Sequence, residues 1–142
     1  VNTNGNLIGI NTAIQSKTGS FSGYGFAIPS NMAEKIINDL KLYGEVRRAY
    51  IGIHITDINM QVQKELKLKG LKGVLISKVL ENSAAELAGI KNLDVILEIN
   101  GIKVNSTSEL HELIIQFNPG DEINCTIQRE EQIETVTLSL KS

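Results

Sequence analysis

The chain has 142 residues, enough for one ordinary domain or a small domain with an appendage. Hydrophobic residues make up 42% and charged residues 21%, which fits a globular protein. The net charge of −2, with no basic cluster larger than Arg47-Arg48, argues against a nucleic-acid partner, and no apolar run reaches the ~20 residues of a membrane span.

The N-terminus, Val1-Asn2-Thr3-Asn4-Gly5, does not have the form of a signal peptide and lacks an initiating Met. The chain is therefore expected to be part of something longer. Asn4-Gly5 is a hairpin turn signal, followed by a strand over Leu7–Ile14. Lys17-Thr18-Gly19-Ser20 reads as loop, and Gly23–Ile28 as a second strand stopped by Pro29. Gly19-Ser20-Phe21-Ser22-Gly23 superficially suggests a nucleophile elbow, but its central residue is Phe21, so it reads as loop too. So few short strands cannot bury both faces. Their apolar residues, Leu7, Ile10, Ile14, Phe26 and Ile28, need a partner, and self-association through residues 1–28 is expected.

A helix follows, with Ser30 or Asn31 as cap, Ala33, Ile36, Ile37, Leu40 and Tyr43 at helical spacing, and Gly44 as the stop. It reads as a rigid link over residues 30–47. From Arg48 the pattern becomes a small module of five or six strands and two principal helices. Ile51–Thr56 is a strand, Met60–Leu66 a short helix, and Gly73–Val79 a strand. Ser83-Ala84-Ala85-Glu86 is a capping box whose helix closes at Gly89. Val95–Ile99 and Ile102–Val104 flank Asn100-Gly101, a type I′ hairpin signal. Ser106-Thr107-Ser108-Glu109 is a second capping box; its helix carries Leu110, Leu113, Ile114 and Phe117 on one stripe and ends at Pro119-Gly120. Strands over Glu122–Gln128 and through Val136, Leu138 and Leu140 finish the chain. Cys125 alternates with Ile123 and Ile127, as a buried small hydrophobe would.

The functional signal is Arg48-Ala49-Tyr50-Ile51-Gly52-Ile53-His54-Ile55. A glycine in an Ile/Tyr run lets a ligand backbone approach, and a glycine-marked loop feeding a strand edge can hold a carboxylate on its N–H groups. The strand then pairs with the rest of the peptide. By alternation Ile51, Ile53 and Ile55 share one side, with Leu110 and Ile114 as the opposite wall, and His54 points away. The competing reading of the isoleucines is plain core. Arg48 either attracts the carboxylate or is simply solvated. Lys64, Glu65, Lys67, Lys69 and Lys72 read as a solvated face. His54 and His111, with no Cys or carboxylate cluster beside them, do not make a metal site, and no nucleotide-binding glycine pattern occurs, so no cofactor is expected.

The order of elements from Tyr50 resembles a PDZ domain in the permuted arrangement of bacterial proteases. Tyr50-Ile51-Gly52-Ile53 matches that family's carboxylate-binding loop. Ser83-Ala84-Ala85-Glu86-Leu87-Ala88-Gly89-Ile90, Asp94-Val95-Ile96 and Ile99-Asn100-Gly101 match its middle. The family usually has glycine where Leu93 stands; if that turn needs φ > 0, Asn92 is expected to supply it. Asn4–Ala13 and Gly23–Asn31 resemble the segment after the nucleophilic serine in HtrA/Deg trypsin-like serine proteases.

The resemblance implies an α+β chain: a PDZ-like, partly open β-barrel or sandwich with two helices over residues 48–142. It would be preceded by leftover protease strands (1–29) and a linker helix (30–47). It implies a peptide-binding site of Arg48, Tyr50, Ile51, Gly52, Ile53, His54, Ile55, Leu110 and Ile114, with Ile51 and Ile53 in the groove and Ile55 more a core residue. Thr12, Ala13 and Ile14 would be the strand beside the parent's cleavage site. The family's Gly-Asn-Ser-Gly-Gly nucleophile motif would fall before Val1, so a catalytic triad is not expected within these residues. The implied role is capture of C-terminal or unfolded peptide segments in periplasmic protein quality control. A stand-alone adaptor and the PDZ module of a membrane-embedded protease are the alternatives.

Overall fold

A computed structural model describes residues 1–15, 24–66, 68, 70 and 72–142. The expected loop at residues 17–20, the Gly19–Gly23 motif, Lys67 and Lys69 lie outside the described residues. The chain divides into two compact units, Val1–Val46 and Arg47–Ser142, each taken by itself below.

In the first unit Asn2 organises the N-terminal turn. Its side-chain oxygen accepts the N–H groups of Asn4 (3.0 Å) and Asn6 (2.9 Å), and its carbonyl accepts that of Gly5, at φ 79°. This is an Asx-type turn. It does not join two strands, because β1 (Gly9–Gln15) starts later than the pattern indicated. β1 pairs antiparallel with β2 (Tyr24–Pro29) through a bulge between Asn11 and Ala13. The bulge leaves Thr12 unpaired in the ladder, and its hydroxyl donates to the Phe26 carbonyl.

Helix α1 (Ser30–Tyr43) corrects the capping expectation. Neither Ser30 nor Asn31 is the cap: Pro29 is, without a side-chain bond. The helical backbone already begins at Ser30, directly after the extended Pro29 (φ −56°, ψ 141°) that ends β2, and the Ser30 N–H donates to the Ile8 carbonyl at 3.0 Å. Gly44 ends the helix as expected, left-handed at φ 76°, with its N–H on the Leu40 carbonyl. The buried residue of α1 is Asp39, held by Lys35 one turn earlier, while Ile37, Leu40 and Tyr43 stay exposed.

The second unit is an antiparallel sheet in the order β3-β4-β5-β7-β8, with β6 paired to β5. The strands are β3 (Ile53–Asp57), β4 (Val74–Val79), β5 (Val95–Ile99), β6 (Ile102–Lys103), β7 (Glu122–Arg129) and β8 (Gln132–Ser139). Helices α2 (Met60–Glu65), α3 (Ala84–Leu87) and α4 (Thr107–Ile114) accompany it. Tyr50 and Lys141 form an isolated antiparallel bridge that draws the two ends of the unit together. Among the described residues the chain thus has eight strands in open sheets and four helices, a mixed fold with no closed barrel, and the PDZ-like architecture read from the sequence holds.

Alternation in β7 sends Ile123, Cys125 and Ile127 inward to join Val74, Ile76, Ile96, Ile99 and Leu110 in one core. Burial pushes the Cys125 thiol up to about 12, which keeps it protonated and unreactive. Both capping boxes form: Ser83 accepts the Glu86 N–H, and Ser106 that of Glu109. Their glutamates reach one residue further back than the usual box, to the N–H groups of Asn82 (2.6 Å) and Asn105 (2.7 Å). Asn100 and Gly101, at φ 49° and 78°, build the I′ turn.

The turn before β5 departs from expectation. Leu93, not Asn92, takes positive φ, at 71°. Its N–H is fixed on the Ile76 carbonyl (2.8 Å), and the next residue's carbonyl accepts the Ile76 N–H (2.9 Å), so the reversal must fall at Leu93. Asn92 is engaged elsewhere, accepting the Val79 N–H at 2.7 Å. Asp94, buried, then receives a bidentate Arg129 (Nε 2.9 Å, Nη2 2.7 Å) and the Lys91 N–H, and the same Nη2 donates to the Gly89 carbonyl.

A leucine in the left-handed region carries a steric cost of about 1–2 kcal/mol, and its side chain, 55% exposed, recovers little by packing. Leu93→Gly should stabilise the protein by about 0.5–1 kcal/mol after the entropy of an added glycine is discounted. Urea unfolding followed by circular dichroism checks this; an unchanged or lower midpoint would show that the turn is not strained.

Candidate functional site

β3 is an edge strand, and its open side faces α4. Between them, within the second unit, lies a cavity of about 450 Å³. Ile53 and Ile55 form the strand wall, Leu110 and Ile114 the helix wall, and Arg48, Tyr50, Ile51 and Gly52 the end. The structure thus brings together every site residue proposed from the sequence for this region except His54. That side chain is exposed and does not line the cavity.

The isoleucines do not act alike. Ile51 is buried in the core at 6% exposure and precedes the strand, whereas Ile53 and Ile55 are half-buried and pack on the core from the cavity side. Alternation holds from Ile53 to Ile55, since the bulge in the β3–β4 ladder falls on Ser77 of β4; it does not carry back across the left-handed Gly52, so Ile51, and not Ile55, is the core member.

Gly52 shapes the end of the groove. It sits at φ 81°, and a Cβ there would lie 2.2 Å from the Ser83 Cβ. This adds a second reason for the glycine: whether or not a ligand backbone arrives, the cap residue of α3 already occupies the space. The loop is tied down on the inside, with the Ile51 carbonyl accepting the Ala85 N–H (3.0 Å) and the Gly52 carbonyl that of Leu80 (2.9 Å). Among the described residues, the N–H groups of Ile51 and Gly52 have no acceptor in the protein. Carbonyls turned inward and amides left free make a concave anion-accepting end.

The sequence did not mark Ala49, Leu80 or Ile115 as lining residues, and had placed His111 only beside the groove; all four line it. Leu80 lies outside the strand pattern and is brought in by its N–H bond to Gly52. Ile115 falls just past the helix, as its cap residue. The side chains of Arg48, Tyr50 and His111 are the lining groups that can carry charge; no carboxylate lines the cavity. Arg48 is exposed and has no ion-pair partner among the described residues. Thr12 and Ala13 lie exposed on β1 of the first unit, and the Ile14 side chain is outside the described set. Among the described residues no group of His, Cys, Asp and Glu could hold a metal ion.

The PDZ domain model matches residues 49–140, the stretch that holds this groove. The chain belongs to the PDZ family. It is also homologous along nearly its whole length to DegP/HtrA serine endoproteases. It is 40% identical over 141 residues to the "Periplasmic serine endoprotease DegP" of Salmonella typhimurium, covering 99% of this chain and 30% of that protein. Among solved structures it is similar to "HtrA-type protease AlgW with decapeptide", at TM-score 0.76 and 30% identity, over 96% of this chain and 42% of that one. The "HtrA3 PDZ Domain Bound to a Phage-Derived Ligand (FGRWV)" shares the fold, at TM-score 0.59 and 22% identity, over 66% of this chain and 86% of that one. The PDZ domain spans only part of the chain, and the chain about 30% of the curated relatives it matches.

Gly52→Ala should cost roughly 2–4 kcal/mol, from the left-handed backbone and the contact with Ser83 together. Thermal and urea unfolding measure it. A folded variant of unchanged stability would mean that the loop can move away from α3.

Proposed function

We propose that this groove binds the C-terminal end of a peptide, paired as an added strand along β3. In this reading the last side chain enters the cavity, and the terminal carboxylate sits on the Ile51 and Gly52 N–H groups near Arg48. The observation that carries it is the pair of free amides at the closed end of an apolar groove. The permuted loop-first order, the PDZ membership and the peptide-bound structures of similar proteins support it.

We propose further that the chain is the peptide-recognition part of a periplasmic HtrA/Deg-type serine endopeptidase. There it would capture exposed apolar C-termini of misfolded proteins and pass them to the protease. The similarity of the first unit, and not of the PDZ region alone, to these relatives favours this over a stand-alone adaptor. Among the described residues no helix is long and apolar enough to cross a membrane. The division into protease-like strands at 1–29, a linking helix at 30–47 and a PDZ domain at 48–142 belongs to the same proposal, as does a place for Thr12, Ala13 and Ile14 beside the substrate.

One strand pairing and one small pocket suggest affinity on the order of micromolar. Calorimetry with a peptide ending in a free apolar residue should show binding, and amidation of that terminus should weaken it by about tenfold or more. Equal affinity for acid and amide would overturn the carboxylate assignment.

The β1–β2 ribbon exposes Leu7, Ile10, Phe26 and Ile28. We assign that face to contact with further β-structure, which a second copy supplies when the 142-residue chain is alone. Sedimentation across a concentration series should show self-association that is lost when residues 1–28 are deleted. A monomer at high concentration would refute it.

A further inference from the structure

We propose that Asp57 sets the width of the groove, and through it which last side chain the groove accepts; this rests on the peptide reading above. Asp57 is the last residue of β3, and Thr107 is the first of α4, 50 positions on. The Asp57 carboxylate accepts the Thr107 N–H at 2.6 Å and faces the Thr107 hydroxyl at 3.4 Å. This is a charged acceptor on the N-terminus of a helix, where one of the orphan amides of the first turn would otherwise bond to water. Ser106 satisfies a different amide, that of Glu109, so the two oxygens do not compete.

What makes the bond consequential is its place. Elsewhere the two walls are held by aliphatic packing alone: Leu110 is in the core, and Ile53, Ile55 and Ile114 pack against it from the cavity side. Such contacts are non-directional and hold a helix near a strand without fixing its angle to it. Directional polar links join β3 to α4 from Asp57 to Thr107. Helix α4 is thus held to β3 at the far end of the groove from the Gly52 loop and runs back along the strand. A pivot at that end turns a small angular change into a larger change of width where the last side chain enters. Asp57 is accordingly a positioning residue; it does not line the cavity.

The test uses the full chain and two C-terminal peptides that differ only in the last residue, valine or phenylalanine. Asp57→Ala should weaken binding of the preferred peptide by up to about tenfold, because the walls are no longer held at the spacing that suits its last side chain. It should also bring the ratio of the two affinities toward one, while the melting temperature falls by no more than about 4 °C. Asp57→Asn keeps an acceptor oxygen and should retain the discrimination. Thr107→Pro removes the N–H at a helix position proline tolerates, so it should reproduce the loss and decides the matter if Asp57→Ala fails to fold. Wild-type affinity and wild-type discrimination in Asp57→Ala or Thr107→Pro would overturn the proposal. If the unaltered chain binds neither peptide, the peptide reading itself fails, which is a distinguishable result.

Discussion

The groove depends on one steric fact: Gly52 and Ser83 occupy adjoining space that leaves no room for a side chain at position 52. That contact fixes a left-handed residue between the core residue Ile51 and the strand residue Ile53. The reversal points the carbonyls of Ile51 and Gly52 inward, to Ala85 and Leu80, and leaves their amides unpaired. Ser83 serves both sides of this arrangement. Its Cβ bounds the loop, and its hydroxyl caps the helix that the loop leans on. The cost of an irregular backbone is met by bonds to the protein on one face, which frees the other face for a ligand.

A second constraint holds the sheet in place behind the groove. Asp94 is buried and satisfied by Arg129 and by the Lys91 amide, and Arg129 also reaches the Gly89 carbonyl. One guanidinium thereby joins the end of α3, the start of β5 and the end of β7. Removing either partner would leave a buried charge alone or a carbonyl unmet, which is why such a pair behaves as a structural knot. Leu93 sits beside it in a backbone region that glycine adopts more cheaply, and the bonds on either side of Leu93 hold it there.

Much of the second unit was legible as pattern. Both capping boxes, the Asn100-Gly101 turn, the Leu110-Ile114 stripe and the Ile123-Cys125-Ile127 alternation are signals spanning a few residues, and each was met. The misses share a cause. Ser30 was passed over as cap because the helix starts at it directly from the β2 strand, whose last residue, Pro29, takes the cap position. Asn92 was passed over for positive φ because Ile76 dictates the turn. The contact that bars a side chain at Gly52 went unseen because its neighbour in space, Ser83, is remote in sequence. Arg129 carried no local mark, since its partner Asp94 lies 35 residues away.

The sequence by itself therefore determined which elements form and which face of each is apolar, because those depend on spacing of two to four residues and on local backbone preference, but not where several of them begin and end. It also marked the Arg48–Ile55 stretch as the place where chemistry would differ from packing. Only the tertiary structure decided which isoleucine is core and which is wall, since the left-handed Gly52, held against Ser83, breaks the alternation between Ile51 and Ile53 on which the sequence reading relied. It likewise decided that Leu80, His111 and Ile115 share the cavity with Ile53. Their meeting depends on how a helix and two strands, separated along the chain, are held around one space, and no period within a single segment encodes that distance.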